Sequence, residues 1–131
     1  MKSLSDGDVE RLAAMAASMR RSMVEMLAKA GGGHIGGSMS VIDILVLLYG
    51  AVMRVNPAQP NWPDRDRLVL SMVHDCAALC PVLASCGFFP SELLDTFNKL
   101  DSPFGMHPYM HKIPGCDMST GSLGHGLAIG L

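Results

Sequence analysis

The sequence predicts an α/β domain that is incomplete by itself, helix-rich, with parallel strand structure to be completed by partner chains. Three observations lead there. Apolar residues recur at helical spacing from Val9 to Ala30. A short apolar run, Leu68-Val69-Leu70-Ser71, follows the charged stretch Asp64-Arg65-Asp66-Arg67 and reads as a buried strand of a parallel sheet. A glycine-rich turn, Ser119 to Gly126, enters a last helical stretch. One strand cannot make a sheet, so something else must supply its neighbours. Residues 1–131 are read as one domain.

The elements follow in chain order. Val9, Leu12, Ala16, Met19, Met23, Met26 and Ala30 form one stripe of the first helix, with Arg11, Arg21, Glu25 and Lys29 left to solvent. Ser5 or Asp6 caps its start and Gly31-Gly32-Gly33 ends it. The stripe reads as a core face, with a subunit contact as the second reading. A second helix is expected from Ser40, where Ser40-Val41-Ile42-Asp43 has a capping-box layout, and its apolar residues on nearly every side imply burial all round. Asn56 to Pro63 carries three prolines that lack amide hydrogens, so it forms a surface excursion. Asp75 to Ser85 makes the next helix. Pro90-Ser91 starts another through Leu93, Leu94, Phe97 and Leu100, and Asp101 to Cys116 is irregular.

Composition narrows the functional classes. A formal charge of −2 with no basic stripe gives no reason to propose a nucleic-acid partner. The four cysteines include no CxxC pair and follow no secretory segment, so a disulfide framework is not expected. Cys76 and Cys80, four apart on a helix, read as buried free thiols or a shared metal site. The apolar stretch from Val41 to Val52 contains Asp43 and is too short to span a bilayer. A soluble, cytoplasmic protein is the expectation.

Three histidines occupy settings that suit a ligand. His34 lies in Gly-Gly-His-Ile-Gly-Gly, where backbone can approach closely. His74 follows the carboxyl end of the expected strand, where parallel sheets bind ligands. His107 sits in the stiff turn Gly-Met-His-Pro. For each, a plain surface histidine is the alternative. The tail Ser-Thr-Gly-Ser-Leu-Gly-His-Gly offers free amides for a phosphate or flat ring, or simply packs a helix closely through glycine. Zinc at His107 and His111 would need a helix that Pro108 disfavours.

Taken in order, Gly33-His34-Ile35-Gly36-Gly37-Ser38, Asn56-Pro57, Trp62 to Ser71, His74, Gly105-Met106-His107-Pro108 and Ser119 to Gly124 resemble the amino-terminal region of transketolases. The similarity runs from about residue 10 to Leu131 and is nearest to the amino-terminal subunit of split bacterial forms. The resemblance implies thiamine diphosphate as cofactor and transfer of a two-carbon ketol unit between sugars or sugar phosphates. It implies that His34 contacts the substrate hydroxyl and shares in proton transfer, and that His107 hydrogen-bonds the reacting end of the donor. It further implies that His74 faces the diphosphate and that Gly121, Ser122 and Leu123 line the aminopyrimidine. Imidazoles suit such roles because they give and accept protons near neutral pH.

The sequence departs from the family pattern in several places. Met72-Val73 stands where Lys-Gly or Asn-Gly is usual before the histidine, Ile35 where proline is common, and His125 where glutamine is usual. The Gly-Asp-Gly motif that holds magnesium or calcium is absent. The metal ligands and the pyrimidine-binding module are therefore expected on partner subunits, and the apolar end Leu127 to Leu131 is expected to be covered by one. The expected function is that of one component of a split transketolase. A non-catalytic scaffold subunit, or part of another thiamine diphosphate-dependent synthase, is the alternative.

Overall fold

The computed structural model describes residues 3–131. Helix α1 spans Asp6–Ala30. Ser5 caps it reciprocally: its hydroxyl accepts the Asp8 amide at 3.2 Å, and the Asp8 carboxylate accepts the Ser5 amide at 3.1 Å. Gly31, at φ +80°, turns the chain out through the left-handed region. Leu12, Ala16, Met19, Met23 and Met26 are buried along one face, as their spacing predicts. Val9 is not; it stays 55% exposed and lines a shallow apolar groove with Leu4, Leu12 and Leu47.

Helix α2 spans Ile35–Leu47 and starts five residues before the expected cap at Ser40. His34 is the cap residue and makes no side-chain cap bond. Ser40 is interior, and its hydroxyl donates back to the Gly37 carbonyl at 2.7 Å. Burial is one-sided rather than complete. Val41, Ile42, Leu45 and Val46 face the core, whereas Ile44 is 56% exposed because α1 and the following helix cover only the other side. The helical path continues through a π-helical turn, Leu48–Val52. Ile35–Val52 is long and apolar enough to cross a membrane by length and composition alone, but its inner face packs against α1 and the next helix, as a core helix does.

A 3₁₀ turn, Val73–Asp75, leads into helix α3, Cys76–Ser85. Every residue from Cys76 to Leu83 is buried, which makes α3 the centre of the core. The Cys76 and Cys80 sulfurs lie 3.7 Å apart as free thiols, and among the described residues no cluster of metal-ligating side chains forms. The helix expected from Pro90 is only a 3₁₀ segment, Ser91–Thr96. Positive φ at Asn98 and Asp101 turns the chain away, which buries Phe97 and leaves Leu100 94% exposed. Asn98 donates to the Phe104 carbonyl at 2.8 Å, and Phe104 packs on Phe89 with ring centroids 4.7 Å apart. Helix α4 is short, Gly126–Gly130.

The run 66–71 forms no strand, and no strand occurs among the described residues. A strand exists only through a ladder with a neighbour, and none lies alongside. Side chains of the tail hold the run instead. Asp117 Oδ2 accepts the Leu68 amide at 2.9 Å, while Oδ1 accepts Arg65 Nη2 at 2.8 Å and Nε at 3.1 Å. Thr120 Oγ1 donates to the Leu70 carbonyl at 2.6 Å, and the Gly126 amide donates to Ser71 Oγ at 3.1 Å. The Arg65–Asp117 pair is largely buried, with side-chain exposures of 15% and 7%. Removing one partner of such a pair strands the other, so Asp117→Ala is expected to cost about 3 kcal/mol, read as a lowered urea midpoint with an unchanged slope.

Candidate functional site

Two helix starts meet at one corner of the molecule. His34 heads α2, and His74 lies in the turn before α3. Their rings stand edge to face with centroids 5.4 Å apart. His34 is exposed and His74 partly so, which leaves the pair open to a ligand. The start of α2, on the exposed side of this corner, carries the positive end of a helix dipole, which favours an anion there.

Beneath the rings lies Asp75, fully buried, with neither carboxylate oxygen hydrogen-bonded. Its Oδ1 stands 3.5 Å from His74 Nε2. Burial is the main cause that pushes its carboxyl above the ordinary carboxylate range; His74, His34 and the nearby Ser38 hydroxyl pull the other way. Ser38 Oγ is itself buried without a hydrogen-bond partner. An acid raised in the folded state contributes its stability fully below its unfolded value of 3.8 and loses it as pH rises through the raised value. Gly37 explains how the acid fits. A Cβ at that position would overlap Asp75 Oδ1, so α2 can approach α3 only with glycine there.

The remaining expected site residues make no ring or hydrogen-bond contact with the pair among the described residues. His107 is exposed. Gly121, Ser122 and Leu123 form an exposed turn, with Leu123 63% exposed. That turn is tied to the same end of the 66–71 run as His74 by the Thr120 and Gly126 bonds. His111 stacks on Tyr109 at 5.3 Å and takes no part in the histidine corner. His125 precedes α4 and is exposed.

Sequence reasoning missed Asp75, Ser38 and the demand on Gly37. One signal was available: Asp75 is the only charged residue between Arg67 and Glu92 other than His74 when protonated, in an otherwise apolar or small-residue run. A lone acid in such a run needs a reason.

Among the described residues the chain is a helical layer with an unpaired run along one side, and imidazoles and glycines lie at the end of that run. The family model described as "Transketolase, thiamine diphosphate binding domain" matches residues 12–131. The chain is 46% identical over 110 residues to the 6-deoxy-6-sulfo-D-fructose transketolase subunit SqwG of Clostridium sp., a match covering 84% of this chain and 40% of that relative. It is 40% identical over 123 residues to an apulose-4-phosphate transketolase subunit of Phocaeicola vulgatus, covering 94% of this chain and 43% of that one. The transketolase from Leishmania mexicana superposes with a TM-score of 0.84 at 30% identity, over 89% of this chain and 18% of that structure. The chain belongs to the transketolase thiamine diphosphate-binding domain family. It spans less than half the length of these subunit relatives.

Gly37→Ala tests the packing at the corner. The added methyl must displace a buried carboxylate or separate α2 from α3, so a loss of about 1–3 kcal/mol is expected in thermal or urea unfolding. The same change at Gly36, where a Cβ meets nothing within 4 Å, is expected to have little effect.

Proposed function

We infer that this chain supplies part of a thiamine diphosphate site in a transketolase assembled with other subunits, acting on sugars or sugar phosphates in the cytoplasm. The observation that carries the reading is the histidine pair at two helix starts, in a chain of this family. The residues present fit the cofactor's diphosphate. Two accessible imidazoles and the exposed start of α2 offer donors, and the glycines of 31–37 leave backbone open to approach. A flat ring fits the 121–123 turn, where a Cβ at Gly121 would meet only open space and Leu123 offers an apolar face.

In this reading His74 donates to the diphosphate, and Gly121, Ser122 and Leu123 support the aminopyrimidine. His34 binds a substrate hydroxyl and moves its proton, and His107 orients the reacting end of the donor. When bound, thiamine diphosphate supplies the electron sink for cleaving and forming the carbon–carbon bond. Magnesium or calcium would steady the diphosphate through ligands outside these residues, which contain no Gly-Asp-Gly. In this reading that motif lies outside residues 1–131 and a partner subunit supplies the pyrimidine-binding module. The two relatives named above are themselves described as transketolase subunits, which supports the assembly.

The test is ketol transfer by the reconstituted complex with His34→Ala and His107→Ala. Loss of a group that moves a proton in the transition state costs about 10²-fold or more in kcat/KM. That loss, with the complex still assembled on a sizing column, is the expected outcome. Unchanged transfer in both variants would point to a scaffold role, and turnover of 2-oxo acids in place of sugar phosphates would point to a synthase.

A further inference from the structure

We propose that Asp75 is a positioning residue that seats the His34–His74 pair and takes up a proton when an anionic ligand binds at that corner. The proposal rests on the reading of the corner as a diphosphate site and adds to it a residue and a coupling.

The geometry is unusual for a structural acid. A carboxylate whose side chain is wholly buried, with only His74 at 3.5 Å and the Ser38 hydroxyl beside it, is costly to keep charged. Asp75 is tolerated where the starts of α2 and α3 converge, with Gly37 cleared to admit it. The titratable groups acting on it are His74 from its own turn and His34 from the head of α2; no lysine or arginine does so. His74 lies directly over Oδ1 at 3.5 Å, so the acid sits one imidazole away from anything that ring binds. It therefore backs both rings and fixes the side from which they meet a ligand.

The coupling follows from charge. An anion held by His34 and His74 competes with the carboxylate for the same two imidazoles. Two negative groups sharing one small environment do not both stay ionised without cost, and the buried one is the worse solvated. Burial already holds the Asp75 carboxyl above its ordinary range, so ligand binding has only to move it further in that direction. The bond change is one proton from solvent onto a carboxylate oxygen, with no electron transfer.

The experiment uses the full-length chain assembled with its partner subunits and inorganic pyrophosphate as the probe. Calorimetric titration at pH ~6, in two buffers of different ionisation enthalpy, counts the protons taken up. The native complex is expected to take up more protons per pyrophosphate than Asp75→Asn does. Equal counts in the two would overturn the proposal. On the native protein, the Asp75 carboxyl carbon signal should titrate at higher pH once pyrophosphate is added, and a signal indifferent to pyrophosphate overturns it even where Asp75→Asn fails to fold. Failure of both proteins to bind pyrophosphate and thiamine diphosphate would instead sink the diphosphate reading, and with it the coupling.

Discussion

The arrangement depends on Asp117. One carboxylate bonds the guanidinium of Arg65 and the amide of Leu68, and so clamps the tail to the run that leads into the histidine corner. Thr120 and Gly126 repeat the attachment at Leu70 and Ser71, each one or two residues further along. Without a sheet to align these segments, side-chain bonds set the register between them. The buried setting makes the clamp strong only while both partners are present. It brings the 121–123 turn to the end of the run where His74 and the start of α3 lie.

The corner itself depends on small residues and a tolerated charge. Gly37 lets α2 and α3 approach, Gly126 lets the tail approach Ser71, and in both cases an added Cβ would overlap a neighbour. Close approach closes Asp75 off from solvent, while the two imidazoles and the Ser38 hydroxyl limit the cost. Packing and electrostatics therefore bear on the same few atoms. The core behind them, centred on α3 and the Met23, Ile42 and Leu45 contacts, is fully buried and holds the helix starts in place.

Much of this is legible in the sequence where periodicity is strong. The α1 stripe from Leu12 to Met26, the Ser5 cap and the glycine end are local signals and form as read, whereas Val9 stays outside the core. The start of α2 misleads because Ser40-Val41-Ile42-Asp43 looks like a cap, whereas the helix already begins at Ile35 and Gly37 passes close to Asp75 within it. The run 68–71 has strand composition, but a strand is a pairwise property and no second one is present among the described residues. Spacing alone assigns Leu100 to a helix, and the positive φ at Asn98 and Asp101 has no clear local signature. Of the candidate site, the sequence reading set His34 in a glycine-rich turn and His74 after an expected strand, and gave no sign that their rings meet edge to face. Asp75 is hidden from sequence reading because burial of a charge is a tertiary fact.

A crystal structure of the assembled enzyme with thiamine diphosphate bound tests the central claim most directly. The account predicts the diphosphate within hydrogen-bonding distance of His74 and the aminopyrimidine resting on the 121–123 turn. A cofactor seated elsewhere, with the His34–His74 rings facing bulk solvent, would contradict it.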